Sequence, residues 1–130
     1  FTRINRILVD ESNVVRRVHD ILFLVLGFAE KNPGMARILY GDILTGETER
    51  LRKRVAQIYD RLETQLKQIL REAELAGGAA LPAAEIAALL VAFMSGRIAH
   101  FVRSEFTASP VHGWDRQWML LGRMLEPVQT

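Results

Sequence analysis

From Thr48 to Ala76 apolar side chains recur at three- and four-residue steps without a break: Leu51, Val55, Ile58, Leu62, Leu66, Ile69 and Ala73. Arg, Lys, Glu and Gln fill the remaining faces, a pattern that suits an amphipathic helix and not a strand, whose repeat is two. At about 1.5 Å per residue this helix is on the order of 40 Å long, enough to cross a whole domain. In a chain of 130 residues the other elements must therefore pack along it. The same seam could serve a coiled coil, but it holds only about three heptads before Gly77-Gly78. The stretch Gly77 to Pro82 is the one small-residue linker inside the chain.

A second constraint is the corner at Asn32-Pro33. Proline disfavours the α region for the residue before it, while its own φ suits the first position of a helix. One helix therefore ends at Lys31 and a short one runs from Pro33 to Tyr40, stopping at Gly41, with a break over Asp42 to Gly46. The helix before the corner begins near Ser12 or Asn13, either a good N-cap. Inside it Gly27 interrupts a run of Leu, Phe and Val, and an interior glycine costs about 1 kcal/mol relative to alanine. Two explanations are open: a close helix–helix crossing, or a shallow groove that admits a partner.

The chain opens inside an amphipathic helix, with Phe1, Ile4, Ile7 and Leu8 at helical spacing and no cap, as expected of the downstream part of a longer protein. After Pro82 a helix over Ala83 to Phe106 carries small residues along one surface and Leu89, Leu90, Phe93, Met94, Ile98, Phe101 and Val102 on others. A last helix, about Asp115 to Leu125, is equally apolar, with Met119, Leu120 and Met124 extending its surface. Two over-hydrophobic terminal helices suggest a homodimer in which they pair across a two-fold axis as a four-helix bundle. The expected interface is Ala88, Ala92, Ser95, Gly96 and Ala99 with Trp118, Leu121, Gly122 and Leu125. The simpler alternative is that both helices complete a monomer core.

Composition excludes several classes of function. With 49% hydrophobic and 25% charged residues and no cysteine, the chain reads as one ordinary globular domain over 1–130, without disulfides or a thiolate nucleophile. A cytoplasmic location is the default. A net charge of +2 does not by itself announce a nucleic-acid binder. The apolar runs Ile21 to Phe28 and Ile86 to Met94 fall short of the roughly 18 residues a membrane span requires. His19, His100 and His112 are scattered without metal-ligand spacing, and no glycine-rich phosphate loop follows a strand. No nucleophile, base and orienting group can be proposed together, so neither catalysis nor a cofactor is expected.

The order of elements resembles the C-terminal regulatory domain of TetR-type transcriptional regulators: a truncated helix, a helix–corner–helix, a long central helix and two apolar terminal helices. This implies an all-α fold of five main helices, besides the short one after the corner, with the last two building the dimer bundle. Local strings are similar to the nucleoid-occlusion members of that family. They are Thr2-Arg3-Ile4-Asn5, Leu26-Gly27-Phe28 with Glu30, Asn32-Pro33-Gly34, Arg37-Ile38-Leu39, Gln65-Leu66 with Leu70-Arg71-Glu72, and Phe101 to Phe106. The resemblance implies a two-part protein. An N-terminal helix-turn-helix head, absent here, reads DNA at the nucleoid, and the regulatory domain dimerises and captures the C-terminal tail of the division protein FtsZ, keeping division rings off the chromosome. On matching positions the tail-binding residues would be Arg3, Leu24, Gly27, Lys31 and Asn32, with lysine at 31 where the family prefers arginine. Lysine keeps the charge there and loses the planar fork that binds carboxylates through two donors.

The competing expectation is a regulator domain that senses a small apolar molecule in a cavity among the second, central and following helices, lined by Phe23, Phe28, Tyr59 and Phe93. An open groove with a basic rim favours peptide capture. An enclosed apolar pocket of several hundred cubic ångströms favours sensing.

Overall fold

The computed structural model describes residues 1–41, 48–75 and 82–125. Among them are six α-helices and no strand: α1 (Thr2–Asp10), α2 (Val14–Lys31), α3 (Pro33–Tyr40), α4 (Thr48–Leu75), α5 (Ala83–Arg103) and α6 (Trp114–Gly122), the last followed by a 3₁₀ turn at Arg123–Leu125. The break read over Asp42 to Gly46 and the linker from Gly77 to Leu81 lie outside the described residues. The local signals act as their chemistry dictates. Asn13 caps α2, its Oδ1 accepting from the Arg16 N–H at 3.0 Å. Pro33 opens α3, and Gly41 closes it in the left-handed region at φ 92°.

The long helix α4 is the axis of the domain. It turns Leu62, Leu66, Ile69 and Leu70 inward, and α5 packs most extensively along it, adding Ile86, Leu90, Met94 and Ile98 to the buried core. Helix α2 contributes Val18, Ile21, Leu22, Leu26 and Ala29. By length and composition α5 could cross a membrane, a longer apolar element than the Ile86 to Met94 run suggested. Ile86, Leu90, Met94, Ile98 and Phe101 are instead buried in the core, on a helix packed against α3 and α4, while Leu89 is exposed.

Arg17 ties three helices together. Its Nη2 donates to the Leu8 carbonyl at 2.8 Å and its Nε to that of Glu11, closing the end of α1. The same guanidinium lies 3.7 Å from Glu72 near the end of α4. At the other end the Arg61 guanidinium sits 4.0 Å above the Phe1 ring. Helix α1 therefore runs parallel to α4, starting beside Arg61 and ending beside Glu72. His19 joins α2 to α6: it accepts from the Trp114 indole N–H at 3.0 Å, while its other ring nitrogen lies 2.9 Å from Asp20.

Two helix ends differ from the sequence reading. Helix α5 stops at Arg103 rather than Phe106, because the chain turns through a Schellman motif: the Phe106 N–H donates to the Phe101 carbonyl at 2.8 Å and the Glu105 N–H to that of Val102 at 3.1 Å. Glu105 occupies the left-handed position, at φ 55°, where glycine is the usual choice. Phe106 then packs edge-on against Phe101, ring centroids 5.2 Å apart, the apolar contact that accompanies this cap. Helix α6 begins at Trp114 after Gly113, which has φ 69°.

Candidate functional site

A groove of about 750 Å³ opens where α1 begins and α2 ends. Phe1 to Ile4 form one wall, and the second half of α2, from Phe23 to Asn32, forms another. Met35 and Leu39 of α3 close one end, and Ile58, Tyr59 and Leu62 of α4 with Met94 and Ile98 of α5 make the interior. The mouth and the interior differ in chemistry. Arg3 and Lys31 at the rim are exposed, whereas Leu62, Met94 and Ile98 are almost wholly buried. The cavity is thus a cation-rimmed trough with an apolar floor, and it combines the rim expected for peptide capture with the interior expected for an apolar ligand.

Arg3, Leu24, Gly27, Lys31 and Asn32 all line this one groove. Leu24, Gly27 and Lys31 fall at three- and four-residue steps on α2 and so share its groove-facing side. Gly27 is not at a tight helix crossing: a Cβ built there meets nothing within 4 Å. Of its two explanations the groove is the one that matches its surroundings. Asn32 folds back, its Nδ2 donating to the Phe28 carbonyl at 2.9 Å and closing the last turn of α2.

Of the aromatics expected around an apolar cavity, Phe23, Phe28 and Tyr59 line the groove and Phe93 does not. Phe93 faces α6 instead, 6.4 Å from the Trp114 ring and 5.6 Å from the Arg97 guanidinium. Phe23 and Phe28 are each nearly half exposed, an unusual state for large apolar side chains inside a continuous apolar run. The Tyr59 hydroxyl donates to the Leu39 carbonyl at 3.3 Å. Burial raises its pKa above the ordinary phenol value, opposed by a hydrogen bond with Ser95, so the phenol is held neutral. Phe1, Met35, Met94 and Ile98 were not singled out as groove residues from the sequence, since helical spacing makes them ordinary core positions.

The surface expected to pair two chains is only partly available. Ala88, Ala92 and Gly96 are exposed along α5, with open space around Gly96, while Ala99, Trp118 and Leu121 are half-buried. Ser95 is half-buried and lies beside Tyr59 of α4. Gly122 and Leu125 belong to the chain's own core: Gly122 lies against the Trp118 ring, and the 3₁₀ turn changes the helical phase and carries Leu125 inward. The larger exposed apolar groups on the same helices are Leu89, Met119 and Leu120.

Residues 12–126 match the family model of the tetracyclin repressor-like C-terminal domain of SlmA-like type. Nucleoid occlusion factor SlmA from Marinomonas sp. (strain MWYL1) is 54% identical over 127 residues, which are 96% of this chain and 64% of that protein. The proteins of the same name from Alteromonas mediterranea and Shewanella sp. (strain MR-4) are each 50% identical over 126 residues, 95% of this chain and 65% and 64% of theirs. The chain spans just under two-thirds of the length of the relatives it matches.

Proposed function

Because the chain belongs to the SlmA-like C-terminal domains of the tetracyclin repressor-like family, we propose that it is the dimerising, partner-binding domain of a nucleoid occlusion factor and captures the C-terminal tail of FtsZ. The observation that carries the reading is the convergence of Arg3, Leu24, Gly27, Lys31 and Asn32 on one groove. An acidic, partly extended peptide suits that groove. Its carboxylates meet Arg3 and Lys31 at the rim, where charge steers encounter more than it adds affinity. Its apolar side chains enter over Leu24 and Phe28 toward the floor, and Gly27 leaves the room they need. Residues 1–130 act as one domain, and two copies pair through the exposed stripe of Ala88, Ala92 and Gly96 with Leu89, Met119 and Leu120. DNA is read by a separate head, the protein works in the cytoplasm on the nucleoid, and no step requires catalysis or a membrane.

Calorimetric titration of the chain with an FtsZ tail peptide tests this. Arg3→Glu and Lys31→Glu weaken binding most at low salt, because exposed charges are screened within about 8 Å at physiological ionic strength. Gly27→Trp weakens it equally at all salt concentrations. Unchanged affinity in all three variants overturns the reading.

One observation favours a second reading, sensing of a small apolar ligand: the floor of Leu62, Met94 and Ile98 is buried and lies in a cavity of about 750 Å³, within the roughly 300–1,000 Å³ typical of small-molecule sites. A small apolar compound that raises the melting temperature, in a chain that ignores the tail peptide, selects this alternative.

A further inference from the structure

The charge on α4 runs against the helix. Arg50, Arg52, Lys53 and Arg54 crowd its first two turns, whereas Glu72 and Glu74 lie near its end. A helix carries partial positive charge at its N-terminus and negative at its C-terminus, so both placements oppose the dipole. Arg50 and Arg54 are also like charges four residues apart, a destabilising spacing. Among the described residues the only carboxylate partner of this cluster is Glu49, which lies 3.8 Å from Lys53. Glu72 and Glu74 find partners within the fold, the Arg17 guanidinium and the Ala83 N–H, so it is the basic cluster that is left over. Local choices that disagree with the fold mark positions where something outside it decides the residue.

At about 100° per residue, Arg50, Arg54 and Arg61 fall within roughly 40° of one another on α4. All three are exposed. The stripe lies on the flank of α4 that adjoins Ile58, a groove residue, and Arg61 rests on Phe1, another. We infer that Arg50, Arg54 and Arg61 form a second cationic wall of the groove, which holds acidic residues flanking the part of the peptide seated over the apolar floor.

The inference rests on the peptide-capture reading and adds a specificity element to it. Arg3 on the α1 wall and Lys31 on the α2 wall make the rim already described, and the arginine stripe adds a cationic edge on α4 beside Phe1. The stripe's spacings of about 6 Å and 10 Å along the helix axis correspond to about two and three residues of an extended chain, which advances about 3.3 Å per residue. An extended peptide with carboxylates two to three residues apart can therefore pair with each arginine in turn. Stacking on Phe1 restrains Arg61, so less side-chain freedom is lost when it engages a carboxylate.

The test titrates the chain with the FtsZ tail peptide and with a copy in which every Asp and Glu is replaced by Asn and Gln. The expected result for the Arg50→Gln/Arg54→Gln/Arg61→Gln variant is roughly tenfold weaker binding of the acidic peptide at low salt, with a shallower salt dependence. Binding of the amidated copy should not change. Glutamine keeps the helix propensity, circular dichroism checks the fold, and Arg54→Gln alone, with about a twofold to threefold loss, stands in if the triple variant misfolds. If the variants bind the acidic peptide like the parent while Arg3→Glu does not, the stripe is excluded and the groove stands. If Arg3→Glu also binds like the parent, peptide capture itself falls. A variant that loses retention of a duplex DNA but keeps its peptide affinity overturns the inference in favour of phosphate contact.

Discussion

Replacing Gly27 by alanine should stabilise the protein. Gly27 lies inside the 18-residue helix α2, where alanine is better than glycine by about 0.5–1 kcal/mol, in part because it restricts the unfolded chain. In a packed crossing that gain would be offset by overlap. Here the new methyl meets no atom within 4 Å, so nothing offsets it. For a chain of 130 residues, an unfolding entropy of about 2.1 cal/mol/K per residue gives roughly 270 cal/mol/K, so the gain raises Tm by about 2–4 °C. The assay is thermal unfolding by far-ultraviolet circular dichroism, with parent and variant at equal concentration so that self-association shifts both alike. A lower Tm would refute the reasoning, because it would mean that the glycine admits a neighbouring helix. Larger residues carry the argument to function: Gly27→Leu should keep most of the stability and lose peptide affinity. A loss of affinity that merely tracked a loss of stability would assign the glycine to packing.

Other positions give independent checks. Glu105→Gly places glycine at the left-handed position of the α5 cap and should raise stability by about 0.5–1 kcal/mol, read as a higher urea midpoint; a lower midpoint would contradict the cap. Ala92→Glu sets an unpaired charge on the exposed stripe of α5 and should turn a dimer into a monomer by light scattering. A monomeric parent at micromolar concentration would remove the pairing proposal. Because burial raises the Tyr59 pKa, the folded state favours the neutral phenol: this stability is fully present below the ordinary phenol value near 10 and is lost as pH rises through the raised one. Urea midpoints from pH 8 to 11 should therefore fall more steeply for the parent than for Tyr59→Phe, and parallel curves would contradict the assignment.

Much of the fold could be read from residues whose chemistry acts locally. Asn13, Pro33 and Gly41 set the ends of α2 and α3, and the repeat from Leu51 to Ile69 sets α4. The end of α5 could not be read this way, because the Schellman turn uses Glu105 and Phe106 in left-handed conformations, and neither residue signals one. The phase of the C-terminal segment was lost for a related reason. A 3₁₀ turn breaks the 3.6-residue period after Gly122, so Leu125 leaves the face it shares with Leu121 on an ideal helix. At the groove, an interior glycine in sequence marks an exception without saying whether a helix or empty space lies beside it. Only the placement of α1, fixed by Arg17 at one end and Arg61 at the other, resolves that question. Phe93 could not be assigned by type alone, since aromatics on both sides of α5 are equally apolar and only packing against Trp114 separates them.

The most direct test of the central proposal is an amide and methyl NMR titration of the isotope-labelled chain with an unlabelled FtsZ tail peptide. The account predicts that the largest shifts fall on Phe1 to Ile4, on Leu24 to Asn32 and on Ile58 and Leu62, with smaller ones along Arg50, Arg54 and Arg61, while the exposed stripe from Ala88 to Gly96 stays unmoved. Shifts confined to α5 and α6, or none at peptide concentrations that saturate a weak site, would contradict it.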